Sequence, residues 1–333
     1  MKHLNLNNPS YTYLETAFKA WLNTLGYNKT TTYNLPIHIR EFLYDLTQND
    51  IHKIKQLEPI HIINYYQKLK KRTNCRQHAG ALSASYLNKH QQALKLFCDY
   101  LRQSGRIMIA YPDLTQEKKE ETKIEVLTQK EIKSLFEATE LLTVKPELEV
   151  LQARDKAIIA ILYFCGLRRT EAVSLNIEDV NLDTATVHVK QGKGYKERLV
   201  PIHPDNIKYL EEYIYDSRIE LTKNKSDSNR MENAFFISMK KNRMSGQAML
   251  LRLKQLQYIS DNQSLKTKNI TLHTLRHSIA THLLQNGMSL EQISRFLGHS
   301  SLESTQIYTH LINDNVDSVL HEHQSRKLSG LNN

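Results

Sequence analysis

The chain has 333 residues, 40% hydrophobic and 24% charged, which suits a folded globular protein of more than one domain. No run of about 18 apolar residues is present to cross a bilayer and no apolar signal core opens the chain, so neither a membrane-spanning nor a secreted protein is expected. The net charge is +10, and residues 1–106 hold 15 Lys and Arg against 6 Asp and Glu, so the excess is concentrated in the first third. A unit that grips a phosphate backbone needs such a bias, although a soluble basic domain accounts for the charge alone equally well.

In chain order, residues 1–106 read as a helical unit. Leu14, Phe18, Trp21 and Leu25 outline a first amphipathic helix, a second runs from Tyr33 to Leu46, a third from Pro59 to Arg72 and a fourth from Ala84 to Leu101. The stretch K-L-K-K-R-T-N-C-R at 68–76 between the last two is a basic patch that marks Lys70, Lys71, Arg72 and Arg76 as phosphate contacts; a solvated helix end is the plainer account. Residues 107–126 lose apolar periodicity, gain mixed charge and contain Pro112, as an interdomain linker does. The second domain, 127–333, opens with capping-box spacing from Thr128 to Glu131. A nearly continuous apolar helix follows at 154–165, then Gly166 and a new helix at 167–175 that sets Arg168 at the seam. By pattern alone, Arg168 is a structural ion-pair partner of Asp155 or Glu171. Residues 184–202 alternate as a β-hairpin, with Val187 and Val189 on one strand, Leu199 and Val200 on the other, and Lys193 between Gly192 and Gly194 at the turn. Residues 234–237 suggest a further short strand, and the polar stretches 220–233 and 257–269 suggest loops. Cys75, Cys98 and Cys165 lack metal-ligand spacing and fit reduced, cytosolic thiols.

The strongest pattern spans Thr271 to His310. Leu275, Ile279 and Leu283 form one stripe of a helix ending at Gly287, with His273 and Arg276 three apart near its start. Ser289 to Gln292 starts a second short helix that Gly298 stops, and Ser300 to Glu303 starts a third that carries Tyr308. Two histidines, an arginine and a tyrosine thus come from three short helices. Tyrosine is a covalent nucleophile when neighbours stabilise the charge it attacks, arginine binds phosphate oxygens bidentately, and imidazole moves protons near neutral pH. The set suits transfer of a phosphodiester to Tyr308.

H-T-L-R-H at 273–277, L-G-H at 297–299 and I-Y-T-H at 307–310, in that order and with nine residues from His299 to Tyr308, resemble the C-terminal boxes of the tyrosine recombinases, the phage-integrase and Xer-like family. G-L-R-x-x-E at 166–171 resembles the box of that family's first catalytic arginine, which reverses the plainer reading of Arg168; Arg169 stands where the family often has a small or aliphatic residue. G-K-G with K-E-R-x-V-P resembles the hairpin whose lysine reaches the minor groove. The resemblance implies a mainly α fold with a small β-hairpin or sheet: an N-terminal helical core-binding domain and a mixed α/β catalytic domain whose tail, about 311–333 with one helix near 316–323, is exchanged between protomers. It implies Arg168, Lys193, His273, Arg276, His299 and the nucleophile Tyr308 as catalytic residues, and Asn88, Lys89 and Gln92 as DNA contacts, since helices near Thr30–Tyr33 and Ser85–Lys95 would face the grooves. It further implies a bacterial, cytoplasmic, nucleoid-associated protein that is a monomer or weak oligomer when free. On a double-stranded recombination site it would form a homo-tetramer, with an accessory DNA-bending protein or partner recombinase. Neither ATP nor metal is expected as a cofactor.

Three alternatives compete with this reading. His273 and His277 have the i, i+4 spacing of a zinc helix, with His282 on the same helix, but an arginine stands where a zincin places its glutamate, and packing is the expected role of His277 and His282. A non-catalytic DNA-binding protein of the same fold would not need all six groups. A type IB topoisomerase shares the chemistry but not the Xer-like spacing. The first helix begins within about ten residues, which leaves no space for an arm-binding domain. That leaves an Xer-type chromosome-dimer resolvase or a compact mobile-element integrase, and the departures at Arg169, the stretch 139–152 and the polar loops favour the mobile element.

Overall fold

The computed structural model describes residues 4–74, 80–118, 124–141, 149–190, 197–223, 233–298 and Thr305, and the chain divides into two units, Met1–Thr122 and Lys123–Asn333. The first unit holds α1 (Pro9–Thr24), α2 (Lys29–Gln48), α3 (Pro59–Lys71) and α4 (Ala84–Gln103). Side chains of Asn8, Asn28 and Ser83 cap the first backbone N–H groups of α1, α2 and α4, and Pro9 and Pro59 sit where a helix needs no donor. The polar caps explain why α2 starts four residues before the apolar pattern at Tyr33 suggests. Phe18, Phe42, Phe97, Leu43 and Leu101 are fully buried where the helices meet.

Residues 107–118, within the expected linker, are seated on the first unit. Ile109 is buried, Gln91 donates to the Thr115 carbonyl at 2.9 Å, and the Asn88 amide both donates to the Glu117 carbonyl (2.8 Å) and accepts from its N–H (2.9 Å). Tyr66 donates to the Glu117 carboxylate at 2.9 Å and Lys70 pairs with it at 2.8 Å. Side chains of α3 and α4 supply the hydrogen bonds that a regular element would have supplied itself, so this stretch needs no periodicity to be seated.

In the second unit α5 (Gln129–Leu141), α6 (Glu149–Ile159) and a π-helical continuation, Ala160–Phe164, precede α7 (Arg169–Ser174). The apolar run expected to be buried is: Ile159, Ile161 and Leu162 are fully buried among α5, α6 and later helices. Strands β1 (Val180–Asn181), β2 (Thr186–Val189) and β3 (Arg198–Pro201) form one antiparallel sheet in that order, with Val187 opposite Val200 and Val189 opposite Arg198. Then come α8 (Pro204–Glu211), the π-helical Glu212–Ser217, α9 (Arg218–Thr222), α10 (Gly246–Ile259), α11 (Gln263–Thr267), α12 (Leu272–Gln285) and α13 (Leu290–Leu297). Ala234 and Ile237 make only single bridges, to Asn176 and Arg243, rather than a strand. The polar stretch 257–269 is mostly helical: Gln257 is buried and donates to the carbonyls of Leu265 and Lys268, which wraps α11 onto α10. A buried glutamine serving two carbonyls is invisible to apolar periodicity. No helix among the described residues is long and apolar enough to cross a membrane.

Candidate active site

α12 begins at Thr271, whose hydroxyl accepts from the Thr274 N–H. Leu272, Leu275 and Ile279 anchor one face of the helix, which fixes Arg276 beneath the surface with only 4% of its side chain exposed. Its Nη1 donates to the Gly166 carbonyl (2.5 Å) and its Nη2 to the Leu297 carbonyl (2.7 Å). Arg168 comes from the other side of the same seam as the N-cap of α7. Its backbone N–H and Nη1 bind the two oxygens of Glu171 at 2.8 and 2.7 Å, and its Nη2 donates to the Gly298 carbonyl at 2.6 Å. The structural pairing of Arg168 with Glu171 is therefore real, while Asp155 pairs with Arg252 instead. The structural reading of Arg168 thus holds with Glu171 as the partner, and 19% of its side chain stays open.

A third arginine, Arg198 of β3, completes the group. Its Nη1 and Nη2 donate to Glu171 at 3.1 and 2.9 Å and its Nε to the Phe296 carbonyl at 3.2 Å. The last three carbonyls of the α13 end, Phe296, Leu297 and Gly298, are thus bound by Arg198, Arg276 and Arg168 in turn. Unpaired carbonyls make a helix C-terminus electronegative, so three guanidinium groups are stable there. Gly298 takes φ +66°, and a Cβ on it would stand 2.9 Å from the Cδ and Nη1 of Arg198; Gly166, at φ +58°, would place one 2.7 Å from Leu297. Glycine is needed at both positions for the conformation and for the close approach.

Glu171 is 1% exposed. Burial alone would raise its carboxyl group, but hydrogen bonds and charge from Arg198, with the contacts from Arg168, hold it down at about 2. One carboxylate against three guanidinium groups leaves two positive charges in surplus, a ready seat for an anion. His273 lies one turn before Arg276; loss of water around it, then the charges of Arg276, Arg169 and Arg168, lower its basicity, which favours the neutral imidazole. His277 is lowered to about 4 by burial and by His273 and Arg276. His282 pairs its Nδ1 with the Tyr163 hydroxyl at 2.7 Å, a packing role.

The structure brings together Arg168, His273 and Arg276; Lys193, His299 and Tyr308 lie outside the described residues, as do Arg76, the Gly192–Gly194 turn and the tail 311–333. Of the expected DNA contacts in the first unit, Lys71, Lys89 and Gln92 are exposed, whereas Lys70 pairs with Glu117, Arg72 with Glu41, and the Asn88 amide holds Glu117. Arg198 had no expected role. The signal that marks it is strand alternation: it shares the inward face with the fully buried Val200, while Leu199 between them is 67% exposed.

Residues 125–314 match the model of the phage integrase family, more than half of the chain. The chain belongs to that family. Among phage-integrase relatives it is 39% identical over 196 residues to the tyrosine recombinase XerD of Pseudomonas putida, covering 58% of this chain and 62% of that one. It is 34% identical over 246 residues to XerD of Oceanobacillus iheyensis, covering 73% and 77%. The match thus spans under two thirds of the Pseudomonas relative. In fold, it is similar to the XerH site-specific recombinase bound to a palindromic difH substrate (TM-score 0.67, 18% identity, 95% and 97% coverage) and to the Tn1549 transposon integrase bound to circular intermediate DNA (0.62, 16%, 89% and 94%).

Proposed function

We propose that this chain is a site-specific DNA recombinase that cuts and rejoins duplex DNA through a 3′-phosphotyrosyl intermediate. The observation that carries this reading is the Glu171-centred cluster, which holds Arg168 and Arg276 with surplus positive charge beside His273. In the proposed reaction the Tyr308 oxygen attacks the scissile phosphorus and the bond to the 5′-oxygen breaks. A free phenol has a pKa near 10, so His273 accepts its proton during attack. Arg168 and Arg276 neutralise the non-bridging oxygens as charge builds, His299 donates a hydrogen bond to the phosphate, and Lys193 protonates the leaving 5′-oxygen. The phosphotyrosyl bond conserves the energy for rejoining, so the scheme calls for neither ATP nor metal.

The first unit, which carries most of the excess charge, is the part we assign to the DNA backbone, through Lys71, Lys89 and Gln92 and with Lys70, Arg72, Arg76 and Asn88 at its edge. The assembly we infer is a tetramer on DNA with tails exchanged between protomers. An apolar cleft of about 900 Å³ in the second unit, lined by Phe136, Phe164, Tyr209, Leu283 and Phe296 among others, supports it as a seat for a neighbour's tail. Sedimentation of the DNA complex reads that assembly.

The test is capture from a randomised pool of nicked duplexes, in chelator. A covalent protein–DNA adduct is expected, and it should vanish in Tyr308→Phe. An adduct that survives that change, or one that forms only with a divalent ion, would sink the assignment. The recovered sequence also separates two settings. Ends of a mobile element support integration, which we favour for the departure at Arg169; a single chromosomal site supports Xer-type dimer resolution, the reading favoured by 39% identity to XerD.

A further inference from the structure

Glu171 is shared unequally among its three arginines. Arg198 makes the bidentate contact, at 3.1 and 2.9 Å, while Arg168 gives one side-chain hydrogen bond at 2.7 Å and Arg276 approaches only to 3.9 Å. Paired guanidinium–carboxylate contacts are the strongest of these, so the Glu171 charge is met chiefly by Arg198. Every nitrogen of Arg198 has a partner inside the protein, its side chain is 12% exposed, and its Cδ and Nη1 crowd Gly298. What sets it apart from Arg168 and Arg276 is the bidentate contact, which commits both of its Nη atoms to Glu171.

We propose that Arg198 is a positioning residue that saturates Glu171 and ties β3 to the end of α13, so that Arg168 and Arg276 keep their charge for the scissile phosphate. Without Arg198 the surplus charge of the cluster falls from two to one. The Glu171 oxygens then turn to Arg168 and Arg276 and draw both inward. The Phe296 carbonyl loses its donor, which loosens the L-G-H segment that leads to residue 299. The strand that Arg198 opens begins five residues after Lys193, so the same side chain fastens the base of the hairpin to the arginine cluster.

This inference rests on the recombinase reading, and the experiment separates the two. Single-turnover cleavage is measured on the duplex recovered by adduct capture, made with either an ordinary phosphate or a neutral methylphosphonate at the scissile position. A methylphosphonate carries no charge for the arginines to neutralise. On the phosphate duplex, Arg198→Met should cleave about 100-fold more slowly, the cost of a small misplacement of reacting groups, while binding stays within about threefold. On the methylphosphonate duplex the ratio of wild type to variant should fall below about tenfold, since the electrostatic work has been removed. Glu171→Gln combined with Arg198→Met should recover part of the lost rate, because the carboxylate that captures Arg168 is gone, and Arg198→Lys should fall between. Equal loss on both duplexes would mean that Arg198 only stabilises the fold, and a matching drop in the thermal unfolding midpoint would confirm that; undiminished cleavage of the phosphate duplex would also overturn the proposal. Wild-type protein that forms no adduct with any duplex would remove the recombinase reading, and the role of Arg198 with it.

Discussion

Two adjacent arginines, Arg168 and Arg169, have separate fates at the α6–α7 seam. Arg168 donates to Glu171 and to the Gly298 carbonyl, whereas Arg169 crosses Gly246, where a Cβ would run into its side chain. The order of the two in the chain does not decide this; the α7 capping box does, by aiming residue 168 back at its own N3 glutamate. We expect Arg168→Ala to lower the rate of adduct formation at least about 100-fold, the usual cost of deleting a donor to a developing oxyanion. Arg169→Ala should lose less than about tenfold, the order expected where only a nearby charge changes, but should alter the pH dependence. Its charge helps depress His273, so removing it raises the folded pKa of that imidazole, and the acidic limb of the rate profile should move to higher pH. A limb that stays in place would show that His273 is not the proton acceptor.

At the scale of elements, α2 and α4 meet over an unusual polar core. His38 and His90 rings lie 4.1 Å apart, His90 is fully buried with its Nδ1 3.3 Å from the Tyr65 hydroxyl, and its Nε2 is 3.8 Å from Glu41, which pairs with Arg72. Burial, then the Lys89 charge, lowers His38 to about 4; burial, then His38 and Arg72, lowers His90 to about 2. In the unfolded chain both bind protons near pH 6.5, so below that value the unfolded state takes up more protons than the folded one. Stability of this unit is therefore lost as pH falls from about 6.5 towards 4, the reverse of the trend for a histidine that gains an anionic partner. Trp21, the one tryptophan of the chain, packs on Phe18 and Tyr100 inside this unit, so its emission follows the unit within the full-length protein. The urea midpoint from Trp21 should drop between pH 7 and pH 5, and His38→Leu should flatten that drop. An unchanged pH slope in the variant would mean that other groups govern it.

For the whole molecule, charge and chemistry are divided between the two units: nearly all of the net +10 lies in residues 1–106, while the second unit keeps its arginines around one buried carboxylate. Internal pairing refines which surface charges count, since Lys70 and Arg72 have carboxylate partners and Lys71 and Lys89 are exposed. In a plot of log affinity for duplex DNA against log salt, Lys71→Gln with Lys89→Gln should reduce the slope by about two, close to one for each cation removed from a phosphate. A slope equal to that of the wild type would place the DNA elsewhere. Much of this protein was legible in its sequence. Apolar periodicity outlined α1 to α7, α12 and α13, the hairpin alternation outlined β2 and β3, and motif order pointed to Arg168, His273 and Arg276, because each of those signals is local and repeats within a few residues. What needed tertiary structure was long-range polar pairing. Residues 107–118 are seated by amides of α4, residues 257–269 wrap around one buried glutamine, and Arg198 turns inward to meet a carboxylate 27 positions away. Such pairings leave no periodic trace, since a single polar side chain satisfies a distant partner without repeating. The sequence by itself therefore determined the family, most of the helices and the pair Arg168 and Arg276, whereas only the packing of α7, β3 and α13 decided that these two share one buried glutamate with Arg198.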